Sequence, residues 1–276
     1  MQLIKLPFLE TMAMYSCNLN CLGCTNYSDL SYTGYIKWKD AKRQLENWLQ
    51  VIELDDFGII GGEPMLNPQI REWIVGFRSL MPNAQLRFTT NGLFLSKNFD
   101  IVDLLHEIGN CVFKITVHVN DENLEDNINK IYKQYDFEPV NEYGINRFKT
   151  SNNFRFQVNR PKTFIKTYRN NYANMLPHNS NPIESFDMCI QQQCPLLYKG
   201  KIYKCSSIAM LNDTLTRFKK QNMWQWKEFS SYQGISHDDD TTNIQKFVDD
   251  FGKPEAICKM CPTANDNESI IDHVIP

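Results

Sequence analysis

A chain of 276 residues with 42% hydrophobic and 22% charged residues is an ordinary globular composition, with room for one large domain or a medium one and a small one. A net charge of -3 carries no basic excess for nucleic acid or an anionic membrane. No apolar run nears the ~20 residues of a bilayer span, and the N-terminal apolar stretch, broken by Glu10, lacks the form of a signal peptide. These features predict a cytoplasmic protein, in which nine cysteines point to metal or redox chemistry rather than disulfides.

Residues 8–15 read as a strand entering a cysteine-bearing loop, and residues 38–52 as a helix. The apolar run 56–60 stops at Gly61-Gly62. Asn67 caps a helix to about Leu80, and residues 85–90 form a strand ended by Asn91-Gly92. A helix from Asp100 to Ile108, a strand over 111–119, a helix over 121–135 and a strand over 153–160 follow. The alternation predicts parallel β/α units, whose sites lie at the carboxyl ends of the strands. The cysteine loop, GGEP at 61–64 and TTNG at 89–92 all fall at such ends. After residue 161 the period is lost. A boundary near 180 divides the chain into residues 1–180 and a cysteine-rich 181–276, with a hairpin at 194–205 and a helix at 242–251. The run His237 to Asp240 reads as a solvated loop capping that helix.

Cys17, Cys21 and Cys24 lie within about 25 Å of chain, so a compact loop can aim all three at one small cluster. A [4Fe–4S] cluster normally takes four thiolates. Three leave one iron open, whereas zinc prefers paired halves that close to four ligands. CNLNCLGC at 17–24 followed by GGEP at 61–64 resembles the radical S-adenosylmethionine (SAM) superfamily, over roughly residues 8–160. The resemblance implies a partial (β/α)6 TIM-like barrel in which a cluster on Cys17, Cys21 and Cys24 binds SAM. Reductive cleavage of SAM then yields a 5′-deoxyadenosyl radical that abstracts hydrogen from a substrate. An external low-potential donor such as flavodoxin or ferredoxin is implied as partner. Gly61, Gly62, Glu63 and Pro64 are the implied contacts to the methionine end of SAM, with Thr90 and Asn91 beside them. Thr116, His118, Gln157 and Arg160 are further implied cofactor contacts on the fourth and fifth strands. Where many members carry an aromatic residue before the third cysteine, this chain has Gly23, leaving Leu22 or Tyr27 to face adenine. Cys111 reads as a core residue.

In the hairpin, a turn at Lys199-Gly200 pairs residue 198 with 201 and, by counting outward, Cys194 with Cys205. Cys258 and Cys261 supply a second pair, and four thiolates suit an iron–sulfur cluster or zinc. The layout also resembles the SPASM/twitch extensions of radical SAM enzymes, which hold auxiliary [4Fe–4S] clusters. Their spacing prefers Cys189, with ten residues before Gly200 and four more before Cys205, whereas the hairpin prefers Cys194. Cys189, Cys194, Cys205, Cys258 and Cys261 therefore all stand as candidates for one auxiliary cluster.

The first functional expectation is a redox modification, oxidation or epimerisation, of a small polar metabolite such as a sugar or aminocyclitol, assisted by the auxiliary cluster. The second is maturation of a ribosomally made peptide, without a fused leader-binding domain because the first strand begins near residue 8. The third is a non-enzymatic electron carrier or zinc-stabilised binding module. No acid–base residue is legible: His118, His178 and His237 carry no local signature. A cysteine left outside the clusters is the candidate hydrogen donor.

Overall fold

The structure, a computed structural model, describes residues 3–142 and 145–272. Strands and helices alternate over the first half: β1 (Ile4–Met14), α1 (Trp38–Trp48), β2 (Ile52–Gly61), α2 (Ile70–Leu80), β3 (Gln85–Thr90), α3 (Asp100–Ile108), β4 (Cys111–Thr116) and α4 (Glu122–Gln134). A hairpin of β5 (Glu138–Glu142) and β6 (Ile145–Lys149) precedes β7 (Phe154–Asn159) and the short β8 (Thr163–Ile165). Then come α5 (Pro182–Asp187), β9 (Leu196–Tyr198), β10 (Lys201–Tyr203), α6 (Ser206–Ala209), α7 (Leu211–Arg217), α8 (Lys227–Ser230), β11 (Ile235–Ser236), α9 (Thr241–Asp249) and β12 (Ile270–Asp272).

The helices form where apolar residues recur at helical spacing. Ala41, Leu45 and Trp48 of α1, and Leu124, Ile128 and Ile131 of α4, are the buried stripes. Asp121 caps α4, its carboxylate accepting from the Leu124 amide at 2.8 Å. Several boundaries differ from the expectation, with β2 beginning at Ile52 rather than 56 and β4 ending at Thr116 rather than 119. β1 begins at Ile4, because buried Ile4 and Leu6 alternate with exposed Lys5 and pair with Ile52 to Leu54 of β2. α1 ends at Trp48, since Ile52 is already in β2. Asn67 lies ahead of α2 and acts as a tie instead, its amide donating to the Ala13 and Ile36 carbonyls at 2.7 and 3.1 Å. The β5–β6 hairpin carries Pro139 and many polar residues, which hides it from a hydrophobic pattern.

The main sheet has ten strands in the order β11-β10-β9-β1-β2-β3-β4-β7-β6-β5. The run from β9 through β1, β2, β3 and β4 to β7 is parallel, and the flanking strands are antiparallel. The fold is α/β with a mostly parallel central sheet. The segment after residue 180 joins it through β9, which pairs Glu10 with Leu196 and Thr11 with Leu197. The β9–β10 turn places Lys199 at φ 51° and Gly200 at φ 84°. Its tip is pinned to α1, with Trp48 Nε1 donating to the Gly200 carbonyl at 3.0 Å and Gly200 N donating to Gln44 at 2.9 Å. Asp240 caps α9 as expected.

One apolar core lies between the sheet and helices α1 to α4. A second packs Met12 and Tyr27 against Leu196, Met210, Trp226, Phe229 and Met260, so the segment just after Cys24 and the C-terminal part share a core. Among the described residues, no helix is long and apolar enough to cross a membrane.

Candidate functional site

A cavity of about 420 Å³ opens at the carboxyl ends of the parallel strands. Cys17, Cys21 and Cys24 line it together with Gly61, Gly62, Thr90, Asn91, Thr116 and His118. Residues from four strands thus meet on one space, which is what parallel β/α units arrange.

The join between β1 and β2 is made by backbone. Gly62 N donates to the Met14 carbonyl at 2.8 Å, and Glu63 N to the Ser16 carbonyl at 2.9 Å. A Cβ on Gly61 would fall on the Met14 carbonyl oxygen and one on Gly62 on the Ser16 carbonyl oxygen, so only glycine allows this approach. Asn26 Nδ2 donates to the Gly61 carbonyl at 2.9 Å, tying the far side of the cysteine loop to the same turn.

Glu63 and Pro64 do not line the cavity. Glu63 is fully buried, and its carboxylate accepts from Met65 N at 2.9 Å, Thr90 Oγ1 at 2.7 Å and Asn91 N at 2.8 Å. Burial pushes its carboxyl up, and those three donors pull it back. Its place in the structure is a latch between the ends of β2 and β3. Asn91 Nδ2 in turn donates to Asn18 Oδ1 at 2.8 Å, holding the cysteine loop against that latch. Gln157 and Arg160 are also outside the lining. Arg160 forms a two-armed exposed pair with Glu125, both bonds at 2.8 Å, while the neighbouring Asn159 faces the cavity.

Gly23 sits at φ +80°, and a Cβ there would lie 3.4 Å from Phe164 Cβ. Phe164 lines the cavity and stacks on His118, with ring centroids 5.5 Å apart. Neither expected substitute lines the cavity. Leu22 is half exposed, and Tyr27 is buried with its hydroxyl 3.2 Å from Thr167. An aromatic surface exists here, supplied from β8 and the segment just after β4 rather than from the loop. Its sequence signal was only an isolated Thr-Phe-Ile beyond the last expected strand.

Burial pushes the Cys17 thiol up to about 11 and the Cys21 thiol to about 12, with Cys24 and Cys17 raising Cys21 further as close like-charged neighbours. Cys24 is raised by burial as well. Such thiols stay neutral by themselves, and a cationic centre would deprotonate them outright. Among the described residues no three His, Cys, Asp or Glu side chains stand at metal-holding spacing; the cysteines form neighbourhoods, not coordination geometry. The surroundings still fit a bound polar group. Asn26 Oδ1 and Ser28 Oγ are buried without hydrogen-bond partners on residues that line this cavity.

The second cysteine group divides. Cys261 is pushed up by burial and then by Cys205, Cys189 and Cys258, so these four are electrostatic neighbours. Backbone bonds from His178 to Met260 and from Ser180 to Lys259, at 3.0 and 2.9 Å, stitch the segment leading to Cys189 onto the Cys258–Cys261 turn. Lys204, whose ammonium is paired with Glu255 at 3.0 Å, adds a buried positive charge beside them. The β9–β10 ladder stops at Leu196 and Tyr203, and Cys205 turns away to begin α6. Cys194 also neighbours Cys189 and Cys205, but it lines the first cavity, where burial and then Glu10 push its thiol up. Cys111 is a core residue donating to the Gly109 carbonyl.

A family model described as the Radical SAM superfamily matches residues 12–150. No curated protein matches the chain in sequence. Among solved structures, BtrN in complex with AdoMet and 2-DOIA aligns over 98% of both chains at 14% identity, with a TM-score of 0.48. Streptococcus suis SuiB bound to S-adenosylmethionine aligns over 47% of this chain and 31% of that one at 21% identity, with a TM-score of 0.37. SuiB bound to the precursor peptide SuiA aligns over 47% and 30% at 21% identity, with a TM-score of 0.36. The family match spans the three-cysteine loop and the two strand ends that close on it, and the chain belongs to the radical SAM superfamily of enzymes.

Proposed function

We propose that this enzyme carries out a redox modification, oxidation or epimerisation, of a small polar metabolite, with an auxiliary [4Fe–4S] cluster on Cys189, Cys205, Cys258 and Cys261. The observation that carries the reading is that Cys261 has Cys205, Cys189 and Cys258 as electrostatic neighbours, the last three also beside Lys204, while Cys194 lines the cavity.

When bound, the first cluster and SAM supply the 5′-deoxyadenosyl radical that the family implies. The chain holds and shields them. Cys17, Cys21 and Cys24 present thiolates from one loop. Gly61 and Gly62 bring backbone to the cavity wall, where a side chain would block it. Glu63 holds Thr90 and Asn91 in place through its three accepted hydrogen bonds without facing the ligand. Phe164 on His118 offers the flat apolar surface that Gly23 does not. The shared core under Tyr27 packs the segment just after Cys24 together with Cys205 and Cys261. An external low-potential donor such as flavodoxin or ferredoxin completes the system.

The test is iron and sulfide per chain after anaerobic reconstitution, with 5′-deoxyadenosine formation measured on the same samples. Two cubanes predict about eight irons in the parent and about four when Cys17, Cys21 and Cys24 are all replaced by Ala. About four irons in the parent, nearly none in that variant, and zinc at the second group would refute the auxiliary cluster. An iron-replete parent that forms no 5′-deoxyadenosine from SAM and a reductant would refute the radical reading.

A further inference from the structure

The cavity has a second polar region, away from the cysteine loop. Glu10 of β1, Lys114 of β4 and Cys194 all line it. Cys194 is tied to this place by backbone, because the next residue, Pro195, accepts from Glu10 N at 2.9 Å. Glu10 and Lys114 carry opposite charge and act on each other electrostatically, yet neither makes a side-chain hydrogen bond or ion pair among the described residues. Their neighbours do not satisfy them. Arg87 is committed to Asp56 through a 2.6 Å hydrogen bond and lies over the Phe8 ring.

A half-buried carboxylate and ammonium left unpaired are costly unless something bridges them. A bridging ligand needs a donor for Glu10 and an oxygen acceptor for Lys114. Thr89, Thr116 and Asn159, on the same wall, add neutral groups suited to hydroxyls.

We propose that Glu10, Lys114 and Cys194 form the substrate floor of the cavity, that this floor binds a small polyhydroxylated amine, and that Cys194 is a free thiol there rather than a cluster ligand. The amine sits on Glu10, an adjacent hydroxyl oxygen on Lys114, and the Cys194 sulfur lies against the bound molecule. The proposal rests on the reading above, in which SAM occupies the cysteine-loop side of the same cavity.

The test uses the full reconstituted chain loaded with SAM, with D-glucosamine as probe and D-glucose as the control lacking the amine. Calorimetric titration is expected to show saturable glucosamine binding and at least roughly tenfold weaker glucose binding, the scale of a hydrogen bond to a charged group. Glu10→Gln and Lys114→Met are each expected to weaken glucosamine by about tenfold or more, with iron per chain unchanged. Alkylation of Cys194 by iodoacetamide, followed by mass spectrometry, is expected to slow when glucosamine is bound. Absence of saturable binding, equal binding in both variants, or loss of iron in Cys194→Ser overturns the proposal. A parent that takes up no iron or SAM is a failure of the underlying reading instead, and is scored before any glucosamine is added.

Discussion

Replacing Glu10 by Gln should change how stability depends on pH, in a direction set by the fold. Burial pushes the Glu10 carboxyl from 4.5 up to about 7; Lys114 and Arg87 pull it back in part and Asp56 raises it. Cys194 faces it from the loop before β9. The folded chain therefore binds more protons than the unfolded chain between about pH 4.5 and 7, and stability falls as pH rises through that window. The change in proton affinity is roughly 300-fold, or on the order of 3 kcal/mol if fully expressed. Glu10→Gln removes the titration. The variant should match the parent near pH 4.5 and exceed it by up to about 3 kcal/mol at pH 7 and above. Urea unfolding of both proteins at half-unit pH steps measures the difference directly, because other titrating groups cancel in the subtraction. Parallel stability curves across the window would show that water or a fixed partner already solvates the carboxylate, and the unpaired-charge argument for this floor would fail.

Other consequences of the geometry can be checked in the same preparations. Glu63→Ala leaves two backbone amides and the Thr90 hydroxyl without their acceptor and should cost about 3 kcal/mol or more in denaturant unfolding, with Glu63→Gln costing clearly less. Gly62→Ala places a methyl on the Ser16 carbonyl oxygen, so it should displace the cysteine loop and lower reconstituted iron even where the protein still folds. Phe164→Ala should weaken SAM binding by roughly three- to tenfold, the range for an aromatic contact, with iron content unchanged. Unweakened SAM binding in that variant would remove Phe164 from the adenine side.

Much of the site could be read along the chain because its motifs are local. Three cysteines within eight residues, a Gly-Gly at a strand end and an Asn-Gly at the next are short-range features, and parallel β/α alternation says that strand ends converge. What each motif residue does was not readable in the same way. Glu63 sits beside two cavity-lining glycines, but its side chain turns inward and spends its oxygens on Thr90, Asn91 and Met65, a role that depends on where β3 ends in space. Phe164 faces the cavity opposite Gly23 only because β8 returns over the loop.

The cysteines show the division most plainly. By itself the sequence determined that the first three cysteines share one short loop, and that the last five are one more than a four-thiolate centre takes. It could not choose between Cys189 and Cys194, since spacing and hairpin register favoured different answers. Tertiary structure decided their positions through β9. Its parallel pairing with β1 pins Pro195 to Glu10 and draws Cys194 to the cavity, while the bonds between 178–180 and 259–260 draw Cys189 to the Cys258–Cys261 turn. Both contacts join residues far apart in the chain, and no local pattern encodes which distant backbone a strand edge will meet.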